Sequence, residues 1–209
     1  MRGGLMKKTA KMHIKAVPVW LYVIIAALIC ATVVFALTSF GIIQIGYKIV
    51  PSGAEQASIE VVVDRDYYYS VLADLRNANS TVYVAMYSMI YDPDDSYDWA
   101  NDLIRELVNA KRRGVNVNVI IEYRTYYGYM DGNLEAYNYL SANGVNVKLD
   151  NETDTDHLKL VIIDDKIVYV GSHNWSESAL YYNHETSVRI VSEEIAQTFI
   201  EYLKSNYGV

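Results

Sequence analysis

At 209 residues, 52% apolar and holding 20 tyrosines, the chain has room for one packed domain of common size plus a terminal segment, and its composition excludes a disordered polymer. A single cysteine, Cys30, excludes an intrachain disulfide framework and a cysteine-based zinc site. Residues 1–50 carry +6 from Arg2, Lys7, Lys8, Lys11, Lys15 and Lys48, leaving 12 basic against 25 acidic residues beyond them, a net of −13; a body this acidic excludes capture of a polyanion by a broad basic surface.

After a basic tail at 1–15, residues 16–47 give 32 positions without a charge. As a helix this stretch is roughly 48 Å long, more than the ~30 Å hydrocarbon core requires. Trp20 and Tyr22 near one end and Tyr47 near the other suit the two interfacial belts. The sequence thus predicts a single-pass transmembrane anchor, with the basic N-terminus cytoplasmic and the body on the outer face. A cleaved signal peptide is the rival reading, but its apolar region runs only about 7–15 residues and needs a small-x-small cleavage site. Residues 48–56, with Pro51-Ser52-Gly53, read as a linker.

Strand and helix signals then alternate over 57–209. Ile59–Val63 reads as a strand, Tyr67–Asn77 as a helix and Thr81–Met86 as a strand. Asp98–Arg112 sets Trp99, Leu103, Leu107 and Ala110 on one helical face and ends at Gly114. Val115–Glu122 reads as a buried strand, Asn133–Ala142 as a helix and Val145–Leu149 as a strand. Gly-Val-Asn-Val occurs at 114–117 and again at 144–147, as two successive helix-to-strand units would show. Strands at Lys159–Ile163, Ile167–Val170 and Thr186–Val191 follow, then a helix capped by Ser192. The expected fold is α/β, a mixed sheet flanked by helices.

The chemistry concentrates in His157-Leu-Lys159-Leu-Val-Ile-Ile-Asp164, Gly171-Ser172-His173-Asn174-Trp175 and Asn183-His184-Glu185. On a strand, positions i and i+2 share a face, so His157 and Lys159 project together while Leu158 points into the core. A nucleophile and a fixed cation then stand side by side. Asn174 adds a neutral donor, and Glu185 a carboxylate able to orient an imidazole. His-x-Lys by itself more often marks an ordinary surface strand. The whole spacing is another matter: His-x-Lys, four residues, Asp, six residues, Gly-Ser-x-Asn, and a Glu eleven residues beyond that Asn.

This pattern resembles the HKD motif of the phospholipase D superfamily. Ala85-Met-Tyr-Ser88, Ala110-Lys-Arg-Arg-Gly-Val115 and Leu140-Ser-Ala-Asn-Gly-Val145 look like that family's upstream elements, so the resemblance spans nearly all of 57–209. It implies that His157 attacks phosphorus to form a phosphohistidine, that Lys159 and Asn174 bind phosphoryl oxygens with Ser172 nearby, and that Glu185 holds the imidazole. Gly171 and Asp164 belong to the signature, Asp164 as a loop support. The strand at Val115–Glu122 ends in Glu where the family often has Asp.

The family's reaction requires two histidines, and this sequence carries one motif. The resemblance therefore implies a homodimer that joins two motifs, with no metal and no cofactor. His173, in the turn that supplies Asn174, is a candidate substrate contact at the rim. His184, next to Glu185, should face away. Asp92, Asp94, Asp95 and Asp98 form an acidic loop without EF-hand spacing and read as solvated loop and helix start. Tyr123, Tyr126, Tyr127 and Tyr129 around Arg124 suit base stacking, lipid headgroups or plain loop packing. Asn79 and Asn151 open glycosylation sequons; that at Asn174 should be blocked by burial. The first expectation for substrate is nucleic acid, DNA or RNA, cut by a membrane-anchored endonuclease. A phospholipase D or phosphatidyltransferase acting on phospholipid, and an inactive membrane scaffold, are the alternatives.

Overall fold

The computed structural model describes residues 57–95, 97–123, 131–150 and 154–209, with scattered positions between 20 and 32. Contacts divide the chain into two compact units, Met1–Ala54 and Glu55–Val209. In the first, the described positions from Trp20 to Thr32 are helical; the rest of the expected anchor at 16–47 and the linker at Pro51-Ser52-Gly53 lie outside the described residues. Among the described residues no helix is long and apolar enough to cross a membrane.

The second unit is built on one seven-stranded sheet. Its strands are β1 (Ser58–Val63), β2 (Thr81–Met86), β3 (Asn116–Ile121), β4 (Asn146–Leu149), β5 (Lys159–Ile163), β6 (Ile167–Gly171) and β7 (Thr186–Val191). Their order across the sheet is β1-β7-β6-β5-β2-β3-β4. β2, β3 and β4 run parallel, whereas β5, β6, β7 and β1 pair antiparallel, so the sheet is mixed. Helices α1 (Asp66–Asn77), α2 (Trp99–Arg112), α3 (Asp131–Ala142) and α4 (Glu193–Tyr207) complete the unit, together with one wide helical turn at Ser178–Tyr182.

Local chemistry explains the boundaries. The Asp98 carboxylate accepts from the Ala100 N–H at 2.8 Å and starts α2, and the Ser192 hydroxyl accepts from the Ile195 N–H to start α4. The two Gly-Val-Asn-Val copies sit at equivalent corners. Gly114 (φ +95°) follows α2 and Gly144 (φ +75°) follows α3, each turning the chain through the left-handed region into the parallel strands β3 and β4.

Strand parity divides the sheet into two faces. One face carries Val62, Val82, Val84, Met86, Val117, Val119, Ile121, Val161 and Tyr169, buried under apolar side chains of α1, α2 and α3. Leu103, Ile104 and Leu107 of α2 are fully buried there, each contributing about 1.5–3 kcal/mol by leaving water. The other face carries Tyr83, Ala85, Ile120, Leu160, Ile162 and Val168, covered by Ala196, Ile200 and Leu203 of α4. That cover stops short of the β1 edge, where Ile59, Val61 and Val63 remain exposed, Val61 at 71%.

Candidate active site

The parallel strand β2 ends at Met86, beside the start of β5, the end of β6 and the start of β7. Met86 pairs with Lys159, and the Tyr87 N–H donates to the Leu158 carbonyl at 2.8 Å. The Trp175 N–H donates to the Ser88 carbonyl at 2.9 Å, which places Asn174 against the same strand end. The motif segments, far apart in sequence, thus meet at one end of the sheet.

Parity sets the directions as expected. Lys159 continues the face of Val161, under α1–α3, while Leu158 packs on the opposite face with the α4 cluster. His157 and Lys159 are joined by an aromatic ring that the sequence reading left without a role. Tyr87 lies edge-on to the His157 imidazole, with centroids 4.6 Å apart and planes at 62°, and the Lys159 ammonium sits 4.8 Å from the Tyr87 ring centre. Lys159 Nζ also donates to the His157 carbonyl at 3.2 Å. Burial lowers the Lys159 pKa, and the Glu185 carboxylate opposes part of that shift. His157 is exposed and Lys159 nearly buried, which sets an accessible imidazole beside a desolvated cation.

Glu185 continues the parity of Ser187, on the face that Lys159 occupies. Its carboxylate accepts from the Ser172 hydroxyl and from the Asn183 side chain at 3.1 Å. Ser172 is locked in turn, its N–H to the Thr186 carbonyl at 2.9 Å and its Oγ accepting the Thr186 N–H at 3.0 Å. This contact is why Gly171 is glycine: a Cβ there would lie 2.3 Å from the Thr186 carbonyl oxygen. Asn174 has a buried side-chain oxygen with no hydrogen-bond partner.

Three other expected residues lie elsewhere. Asp164 sits past the far end of β5, about 17 Å along the strand from Lys159 at ~3.3 Å per residue. There its carboxylate accepts from the backbone N–H groups of Asn79, Ser80 and Thr81 and from the Ser80 hydroxyl, tying the β5–β6 turn to the α1–β2 loop. His173 is a correction to the rim position expected for it. It is fully buried, stacked on Tyr67 at 4.2 Å, with Nδ1 bonded to the Ser187 hydroxyl at 2.8 Å and Nε2 to the Asp64 carbonyl at 3.0 Å. Both nitrogens serve the fold, and burial lowers its pKa, so no edge of the ring is offered to a substrate. His184 is exposed, its Nδ1 3.1 Å from the Asp64 carboxylate.

The acidic loop builds its own turn. Asn101 donates to the Asp92 and Asp95 carbonyls and accepts the Asp92 N–H, and Asp98 serves as the helix cap. Among the described residues no cluster of three His, Cys, Asp or Glu side chains is arranged to hold a metal ion. Arg124, Tyr126, Tyr127, Tyr129 and the sequon at Asn151 lie outside the described residues.

Glu122 was noted in the sequence only as an atypical strand end. Buried at 1% exposure, its carboxylate accepts the Asp156 N–H at 2.5 Å, so it fixes the residue immediately before His157. A carboxylate closing a buried apolar strand was the available signal.

Comparison with known proteins agrees with this fold. The family model described as cardiolipin synthase, PLD-like domain, matches residues 71–207. The mitochondrial cardiolipin hydrolase of Canis lupus familiaris is 33% identical over 90 residues, 43% of this chain and 34% of that protein. A phospholipase D of Rickettsia typhi is 25% identical over 131 residues, 63% of this chain and 58% of that one. The matches thus span about a third to somewhat over half of these curated relatives. Among solved structures, Nuc from Salmonella typhimurium, a phospholipase D family member, superposes with a TM-score of 0.62 at 26% identity, over 73% of this chain and 95% of that one.

Proposed function

Because the chain belongs to the phospholipase D superfamily, we propose that it is a membrane-anchored, metal-independent endonuclease acting on DNA or RNA through a phosphohistidine on His157, in a homodimer. The observation that carries this reading is the His157–Tyr87–Lys159 arrangement at the mouth of β5. The imidazole attacks phosphorus while the partly desolvated Lys159 ammonium offsets the charge on the phosphoryl oxygens and the Asn174 side-chain N–H donates to them. Glu185, held by Ser172 and Asn183 and near enough to Lys159 to support its charge, is the carboxylate assigned to orient the imidazole as the site assembles.

One imidazole is not enough, since the leaving oxygen needs a proton. His173 is committed to the fold on both nitrogens, and His184 has the parity opposite to Glu185. The acid is then His157 of a second copy. The uncovered face at Ile59, Val61 and Val63 supports such an assembly. A concavity of about 350 Å³ there is lined by Val61, Val170, Gly171, Thr186, Ser187 and Val188. A two-fold partner covering this face would bury that apolar edge.

Nucleic acid is preferred because the likeness to Nuc covers nearly all of that single short chain. The names of the sequence relatives favour a second reading, in which the same chemistry cleaves a phospholipid headgroup near the bilayer. The test is turnover by the full-length chain of single-stranded DNA, RNA, duplex DNA and cardiolipin or phosphatidylcholine vesicles, in excess EDTA. Cleavage of oligonucleotides with EDTA present supports the proposal; hydrolysis of the vesicles alone selects the lipid reading.

A further inference from the structure

Beside the site lies an aromatic surface that the reaction does not use. Tyr68 and Tyr69 come from the first turn of α1, Trp99 from the first residue of α2, and Tyr181 and Tyr182 from the helical turn at 178–182. Tyr68 is buried and stacks flat on Trp99, centroids 4.4 Å apart, with its hydroxyl bonded to Asp102 at 2.9 Å, so it serves as the foundation. The other rings step outward. Tyr69 meets Trp99 at 5.5 Å and 61°, Tyr181 meets Trp99 at 5.1 Å and 78°, and Tyr182 meets Tyr181 at 5.0 Å and 81°. Tyr69 and Tyr182 are 59% and 64% exposed, and the Arg65 guanidinium lies 5.2 Å from the Tyr181 ring centre.

The row leads to the site. Tyr182 precedes Asn183, which donates to the Glu185 carboxylate, and its Cα lies within about 11 Å of that of Glu185 by chain length. Beside Tyr181, Arg65 follows Asp64, whose N–H donates to the Glu185 carbonyl at 2.9 Å and whose carboxylate accepts the Glu185 N–H at 3.0 Å.

We propose that Tyr69, Trp99, Tyr181 and Tyr182, with Arg65, form a stacking platform for the unpaired bases of single-stranded nucleic acid whose backbone continues to His157. The proposal rests on the nuclease reading above and names the form of its substrate. Perpendicular neighbouring rings leave steps between them that a flat base fills, and every base offers a π-face whatever its sequence. A duplex keeps those faces inside its own stack. The surroundings are acidic: Asp102 bonds Tyr68 and lies 3.9 Å from Arg105, the carboxylate of Asp98 beside Trp99 is close enough to Glu177 to feel its charge, and Asp66 follows Arg65 in the chain. Phosphate contacts are therefore few, and attraction resides in the bases. A bilayer is the poorer occupant. The exposed large side chains in this row are tyrosines, without the aliphatic residues that insert among lipid chains.

The test uses the full-length chain in detergent, carrying His157→Asn so that oligonucleotides bind without turnover. Fluorescence anisotropy with labelled single-stranded and duplex oligonucleotides is compared for Tyr69→Ala, Tyr181→Ala, Tyr182→Ala and the matching Phe variants. Each Ala variant should weaken single-strand binding about 5- to 100-fold, and each Phe variant should restore it. Duplex should bind weakly throughout, and raising salt from about 50 to 200 mM should cost less than about tenfold, because few counterions are released. Wild-type affinity in the Ala variants, with the unmutated enzyme still cleaving single strands, overturns the platform and leaves the nuclease reading standing. Binding of single strands through these rings without any cleavage supports the platform and removes the nuclease reading. Loss of binding to phosphatidylcholine vesicles rather than oligonucleotides assigns the rings to a bilayer and overturns the proposal, as does a wild-type chain that binds no single strand.

Discussion

The backbone N–H of Asp156 donates to the buried carboxylate of Glu122 at 2.5 Å, which couples the end of β3 to the residue that immediately precedes His157. The Asp156 carboxylate also lies near the Tyr207 hydroxyl close to the C-terminus, whose pKa burial and this carboxylate raise. Lys148 in turn binds the Tyr207 and Gly208 carbonyls at 2.9 and 2.8 Å. Glu122 is thus placed to position His157, the nucleophile of the proposed reaction. Glu122→Ala should lower kcat roughly 10- to 100-fold with KM little changed, since an ångström of misplacement at a reacting group costs on that order. Glu122→Gln keeps an acceptor and should recover most of the rate. Equal loss of kcat and thermal stability in both variants would assign Glu122 to the fold alone.

Much of this architecture was legible in the sequence, and the reasons are local. Thr81–Met86, Lys159–Ile163 and Thr186–Val191 read correctly because β-branched runs bounded by turn residues have few other outcomes. The two Gly-Val-Asn-Val copies marked the corners into β3 and β4 because a left-handed glycine and a buried valine follow from that geometry. The i, i+2 rule placed Lys159 opposite Leu158 without any tertiary knowledge. What a residue packs against has no such local signature. Tyr87 beside His157, the burial of His173 on Tyr67 and the Glu122–Asp156 bond each join segments at least 30 residues apart. The wide turn at Ser178–Tyr182 was also missed, because its apolar residues Ala179 and Leu180 are too few to show a helical period.

Asp164 predicts an acid-sensitive fold. Burial raises its pKa, but the N–H groups of Ser80 and Asn79, the Ser80 hydroxyl and the Thr81 N–H outweigh burial and hold it below the usual value of 3.8. A depressed folded value means that this stabilisation is complete above about pH 4 and is lost as pH falls through the lower folded pKa. Asp164→Asn should therefore cost roughly 1–3 kcal/mol at neutral pH and progressively less towards about pH 2. Urea unfolding of both proteins across that range checks it; a constant difference at every pH would refute the ionised carboxylate as the cause.

Lys159 predicts an alkaline limit to the chemistry. Because burial lowers its pKa, the ammonium becomes neutral at a pH below the ordinary lysine value of 10.5. The substrate that isolates this titration is bis(p-nitrophenyl) phosphate, whose leaving group departs without a proton. Its kcat/KM should fall as pH rises through the lowered Lys159 value. Lys159→Arg should run slower, on the order of 10²-fold, because guanidinium geometry differs, but without that limb. An unchanged limb in the Arg variant would assign the titration to another group.

The proposed two-subunit site makes the most exacting demand, because such a composite site would need His157 twice, once as nucleophile and once as acid. A dimer of one unmutated subunit with one His157→Ala subunit keeps a single imidazole. That imidazole can attack phosphorus, but nothing protonates the departing alkoxide of an ordinary diester, so turnover should fall far below half of the wild-type value. On bis(p-nitrophenyl) phosphate the attack should persist, since the nitrophenolate needs no proton. The phosphohistidine should then accumulate, because no second imidazole activates the water that would release it. Differently tagged subunits allow purification of the mixed dimer, and mass analysis of the peptide containing residue 157 reads the adduct directly. Half-maximal activity on the ordinary diester would show that each chain is self-sufficient. In that case the exposed His184, held 3.1 Å from Asp64 on the segment that carries Glu185, becomes the imidazole to mutate next, since His173 is buried with both nitrogens engaged.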